Sequence, residues 1–171
     1  MLTPLAETGP TRAVSLEVTH LGDGLLTGKI GPVCLAIWRG KPQRATFEIQ
    51  RASLARAVAV APGRALFLCV IGAKADPPDD DIRAASAKML NQHGRALAGC
   101  ACVIEGTGFR AALTRTVLTG ISLIARSSVP TSFVDNVATA TAWLQRRSPD
   151  TRLTELPALV EAARARLDAS A

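Results

Sequence analysis

Tyrosine is absent from this 171-residue chain, and aromatic residues make up only 4% of it. Single-stranded nucleic acid is bound on aromatics interleaved with basic side chains, so that mode of recognition has nothing to work with here. Nor is there a block of five or six like charges. The net charge of +6 and the pI of about 9.8 come mostly from scattered arginines. A basic balance suits nucleic acid, anionic lipid or an acidic protein, and the scattering argues against nucleic acid. No run approaches the ~18 consecutive apolar residues of a membrane helix, so no membrane span is expected. A signal-peptide pattern is also missing, and the expected location is the cytoplasm. The histidines number two, His20 and His93, and lie far apart in sequence. Ser86 and His93 share a helical stretch, but seven residues span about 10 Å along a helix axis, too far for a dyad. With no acid–base pair and no metal-ligand spacing, the chain reads as a non-enzyme without a cofactor or metal.

What is present is apolar and aliphatic. Hydrophobic residues make up 48% of the chain and the mean hydropathy is +0.21. A chain of this length buries roughly two-thirds of its unfolded surface as one domain. The four cysteines, Cys34, Cys69, Cys100 and Cys102, lie in or beside apolar runs, as reduced and buried thiols do. Cys100 and Cys102 can share one strand face, but they lack the second pair or the histidines that make a zinc site.

Along the chain, residues 1–12 carry Pro4, Gly9 and Pro10 without periodicity and read as a loose arm. Residues 13–20 alternate as a half-buried strand, and Gly22-Asp23-Gly24 turns the chain into a return strand over 25–30. Residues 33–39 form a continuous apolar strand. The rhythm then becomes strands alternating with helices. Helical spacing covers 47–60, 79–97, 110–126, 137–147 and 156–169, and strands are expected at 65–71, 101–105 and 131–134. Unbroken apolar strands separated by helices indicate parallel pairing with crossovers. The predicted fold is therefore α/β: an N-terminal antiparallel ribbon leading into parallel core strands with crossover helices, plus an extra C-terminal helix. The domain is placed at 13–147 and a C-terminal helical extension at 148–171, which either packs on the core or binds a partner.

Between the strand at 101–105 and the helix at 110–126 stands Gly106-Thr107-Gly108-Phe109-Arg110-Ala111. It matches G-x-G-x-x-G/A, the dinucleotide fingerprint. The fingerprint belongs after the first strand of a doubly wound fold, with an acidic residue roughly 20 residues on. Here only one βα unit follows, and Asp135 comes late, so no nucleotide cofactor is expected. Two readings remain for the turn. Gly106, Thr107, Gly108 and Arg110 can form an anion nest at a helix N-terminus. Alternatively, the glycines only supply positive φ to a tight turn with Phe109 packed inward.

Ile37-Trp38-Arg39-Gly40, then Glu105-Gly106-x-Gly108-Phe109-Arg110, then Phe133-Val134-Asp135-Asn136-Val137 with Ala140 and Trp143-Leu144 resemble the STAS-like (SpoIIAA-like) family of anti-sigma-factor antagonists and sulfate-transporter tails. The likeness covers about residues 13–144. It implies a mixed-sheet α/β domain acting as a non-catalytic regulatory switch that binds a protein partner, and it leaves a homodimer open. In the partner-switching branch a phosphorylatable Ser or Thr starts the helix after the second core strand. The corresponding stretch here, residues 72–81, has no hydroxyl. Its Asp79, Asp80 and Asp81 either mimic phosphate or cap the helix, as aspartate ordinarily does. Arg115, Thr119, Ser122 and Arg126 fall at i, i+4, i+7 and i+11, a polar stripe that is either solvated or a dock for an acidic partner. A small anionic or lipid-like ligand near Gly106–Arg110 is the alternative function, and a small enzyme of unassigned mechanism the third.

Overall fold

Alternation of strands that are apolar on both sides with amphipathic helices leaves one economical solution, a sheet with helices against each face. The computed structural model describes residues 13–126 and 128–170 of the chain and takes that form. The arm assigned to residues 1–12 lies outside the described residues. The elements run β1 (Leu16–Gly22), β2 (Leu25–Ile30), β3 (Val33–Trp38), α1 (Arg44–Val60), β4 (Ala65–Ile71), α2 (Asp80–His93), β5 (Leu97–Ile104), α3 (Gly108–Ala125), β6 (Thr131–Val134), α4 (Val137–Gln145) and α5 (Leu156–Asp168). The sheet order is β1-β2-β3-β4-β5-β6. The first two pairings are antiparallel and the last three parallel. The hairpin between β1 and β2 turns on Asp23 and Gly24 at φ +50° and +70°, the left-handed pair that a tight hairpin needs.

Each parallel strand is added to the same edge, so crossovers of one hand set their helices on one face. Phe47, Leu54 and Val58 of α1 and Ile82 and Met89 of α2 cover Cys34, Ala36, Trp38, Phe67, Cys69, Cys100 and Cys102 there. α3 joins that layer sideways, through Ile121 and Ala125 against Ala87 and Leu90 of α2. The opposite face presents Leu35, Ile37, Leu66, Leu68, Val70, Ala101 and Val103 to α4 and α5. The last helix is therefore part of the core. Leu153, Leu156, Val160, Ala163 and Leu167 are all buried, and α5 lies against β1 and β2. Burying one such leucine or valine contributes about 1.5–3 kcal/mol.

Several boundaries depart from the sequence reading: β1 runs to Gly22 rather than His20, α1 starts at Arg44 rather than Phe47, and β5 starts at Leu97 rather than Ala101. The helical spacing also carries the second helix through Leu97 to a stop at Gly99. α2 ends instead at Gly94, whose φ of +41° breaks the helix. After a single 3-10 turn Leu97 is already in β5. Gly99 sits mid-strand because the other face needs the room: a Cβ there would meet Arg147 Cδ at 2.7 Å and Trp143 Cζ3 at 3.0 Å. Those two side chains stack, with the guanidinium 3.4 Å from the ring centroid.

Candidate functional site

The C-terminal ends of β3, β4 and β5 meet at one edge of the sheet, where parallel α/β folds usually hold ligands. The turn Glu105–Arg110 lies there. Gly106 adopts φ +85°, and a Cβ on it would approach the Ala73 side chain to 2.9 Å, so the loop after β4 closes against it. Gly108 opens α3 at φ +79°, and Thr107 is the N-cap without a side-chain bond. Gly106, Thr107, Gly108 and Arg110 are all exposed. The Arg110 guanidinium donates to Asp76 Oδ1 at 2.8 Å and to the Lys74 carbonyl at 3.3 Å. A carboxylate thus already occupies the cation that an anion nest needs. Phe109 does not pack inward as the tight-turn reading has it: the residue is 83% exposed. The inward positions of α3 are Thr114, Ile121 and Ala125, and Phe109 falls on the opposite arc.

Beside this turn is an open depression of about 650 Å³, lined by Asp23, Gly24, Arg39, Ala73, Lys74, Glu105, Leu167, Asp168 and Ser170. Arg39 follows β3 directly and donates from Nη1 to Glu105 at 2.8 Å and from Nε to Asp168 at 3.0 Å. Arg164 of α5 also pairs with Glu105. Burial disfavours the charge on Arg39, but its bonds to Asp168 and Glu105 outweigh that and hold its pKa above the ordinary value. The network therefore locks its charges against one another and clamps α5 to the strand ends. Lys74, at the rim, takes no ion pair among the described residues. In the sequence Arg39 and Glu105 stand only as marks of the family resemblance. Their signal was a charged residue ending a buried strand. Arg164 and Asp168 carried none, since only the fold brings α5 back here.

No family model, curated protein or solved structure matches the chain.

The remaining candidates divide by location. Asp79 caps α2, accepting the Ile82 N–H at 3.0 Å, while Asp80 pairs with Arg83 and Asp81 is exposed. Arg115 and Thr119 are exposed on α3, Ser122 is half-buried, and Arg126 stands past the helix end at φ +47°. The polar stripe is thus interrupted at both Ser122 and Arg126. Ser86 gives its hydroxyl hydrogen to the Ile82 carbonyl at 2.7 Å, and His20 bonds the Gly22 carbonyl at 3.2 Å. His93 is half-buried at the end of α2, and burial, aided by Arg51, lowers its pKa.

All four cysteines are free and buried. Cys100 and Cys102 do share the helix-covered face, with sulfurs 4.0 Å apart. Among the described residues no group of three or more His, Cys, Asp or Glu side chains is placed to hold a metal ion. Likewise, no helix is long and apolar enough to cross a membrane.

A feature the sequence reading passed over is the outer face of α3. Besides Phe109, it exposes Leu123 and Ile124 at 74% each and Leu113 at 40%. A groove of about 420 Å³ between α2 and α3 continues the surface, lined by Ala84, Thr116, Val117, Gly120 and Ile124, with the paired Asp80 and Arg83 at its side. The signal is present in the sequence, because Phe109, Leu113, Leu123 and Ile124 fall on one arc of α3.

Proposed function

We propose that this chain is a non-enzymatic regulatory module of the STAS-like (SpoIIAA-like) type, working in the cytoplasm by docking a protein partner on the outer face of α3. The observation that carries this reading is the exposure of Phe109, Leu113, Leu123 and Ile124 on one arc of one helix, joined along the groove at Thr116, Val117 and Gly120. Exposed apolar side chains scattered singly are normal, whereas a contiguous patch marks a surface that another molecule covers. The mixed sheet, antiparallel and then parallel, supports the family resemblance, and the buried free thiols suit a reducing compartment. Chemistry is a poorer use of the site. The charges at the strand ends are paired with one another, and the serine and histidine candidates bond to nearby carbonyls or stand apart.

A photo-crosslinking residue introduced at Leu123 in the host cell tests the reading, with Val60, equally open on α1, as the control. A discrete adduct from position 123 that position 60 does not give supports it; equal or absent adducts at both positions overturn it.

The second reading, a small anionic ligand at the strand C-terminal ends, rests on the depression with Lys74 at its rim. Inorganic phosphate titrated against the amide resonances of Ala73 and Lys74 tests it: saturable shifts abolished by Lys74→Glu support it, and linear drift refutes it.

A further inference from the structure

The outer face of α3 has an internal pattern that narrows what covers it. Phe109, Leu113, Thr116, Gly120 and Leu123 are separated by four, three, four and three residues. That is the alternation of a helix–helix seam, with the first, third and fifth at one core position and the other two at its counterpart. In an antiparallel pair each core position faces the other kind. The pattern then becomes self-complementary. Phe109 lies opposite Gly120 of a second copy, Leu113 opposite Thr116, and the same two layers repeat in reverse across the dyad. Every layer joins a large side chain to a small one.

Gly120 is open enough to receive the ring. A Cβ built on it would meet nothing within 4 Å. Leu123 falls opposite Gly106 and Thr107 of the second copy, an exposed turn with little side chain to collide with. The seam also carries no unpaired charge. Arg110 at its edge is held by Asp76, and Arg115 points away from the core positions. A face meant for an acidic protein would display unpaired cations, and the core positions of this one, Phe109, Leu113, Thr116, Gly120 and Leu123, carry no charge.

The area is sufficient. From their exposures, Phe109, Leu113, Leu123 and Ile124 leave roughly 500 Å² of apolar side chain open per copy. Complete cover of these residues in both copies removes roughly 1,000 Å² of it, the threshold for a specific interface before polar rims are added.

We infer that α3 pairs antiparallel with α3 of a second copy, forming a symmetric dimer in which Phe109 of each chain inserts over Gly120 of the other. The inference rests on the reading of α3 as a docking face and names its occupant.

Sedimentation velocity of the full chain over a wide dilution series tests it, with Phe109→Ser, Gly120→Leu and Leu21→Ser measured alongside. The expected result is a reversible monomer–dimer equilibrium. Phe109→Ser weakens it about thirtyfold or more, the size of a hot-spot truncation. Gly120→Leu does the same by filling the receiving gap, although leucine favours the helix and leaves the fold at least as stable. Leu21→Ser, at an exposed apolar position on β1, leaves the equilibrium unchanged. A chain that stays monomeric throughout overturns the inference, as does a dimer that ignores Phe109→Ser and Gly120→Leu. Crosslinking at Leu123 separates the two failures. An adduct with a different protein keeps α3 as a docking face and removes only the dimer, whereas no adduct removes both.

Discussion

Replacing Glu105 with glutamine puts the clamp between α5 and the strand ends to a quantitative test. Glu105 accepts from Arg39 at 2.8 Å and pairs with Arg164, and its side chain is 21% exposed, against 27% and 19% for the two arginines. Fully exposed pairs contribute at most about 1 kcal/mol, while removing one partner from a buried pair costs about 3–5 kcal/mol. Three largely but not fully buried groups fall between these limits. Glu105→Gln also leaves two guanidiniums facing a neutral amide. The expected loss is therefore about 2–3 kcal/mol, or a melting temperature roughly 5–10 °C lower for a domain of this size. Glu161 supplies the control within the same network. It pairs with Arg164 at 2.8 Å but is 71% exposed, so Glu161→Gln should cost under about 0.5 kcal/mol. Urea unfolding of both variants, compared with the parent at unchanged m-value, reads the difference. If the two substitutions are equally mild, burial does not strengthen this network and the clamp is not what holds α5 in place.

Leu156→Ala should destabilise the fold by about 2–5 kcal/mol, as cavity-forming substitutions in a packed core do; a loss below about 0.5 kcal/mol in chemical denaturation would contradict the placement of α5 in the core. Burial pushes the Cys34 thiol up to about 11 from its ordinary 9.0. The unfolded chain releases that proton first, so this contribution is intact below pH 9.0 and is lost as pH rises toward 11. Cys34→Ala should flatten that part of the alkaline stability profile, and an identical profile would refute the assignment. Because all four cysteines are buried, a thiol reagent at neutral pH should label none of them in the native protein and all four in denaturant. Rapid native labelling of any of them would show that the helix layer does not seal the sheet.

Legibility followed the physics of each segment. β2, β4 and β6 were readable to the residue, because their apolar runs are bounded by glycine, proline or a change of period. α2 was readable at its start, where Asp79 caps it, but not at its end. Two glycines competed there, and only the packing of Trp143 and Arg147 over Gly99 decides that Gly94 breaks the helix. The last helix left two alternatives open, since an amphipathic pattern does not say whose surface it covers. Of the two readings of the glycine pair, the tight turn packs Phe109 inward. Its position relative to Thr114, Ile121 and Ala125 sends it outward instead. The clamp of Arg39, Glu105, Arg164 and Asp168 joins residues distant in sequence, and no local pattern announces it. Its polar partners are brought together only when α5 folds back across the sheet.

The central claim is that the outer face of α3 is covered when the protein is at work. Carbene footprinting of the full chain at its native concentration in fresh lysate, against the same chain purified and highly diluted, measures that cover directly. The account predicts that labelling at Phe109, Leu113, Leu123 and Ile124 falls several-fold in the native sample while Val60 is labelled equally in both. Equal labelling of α3 and Val60 in the two samples would contradict it.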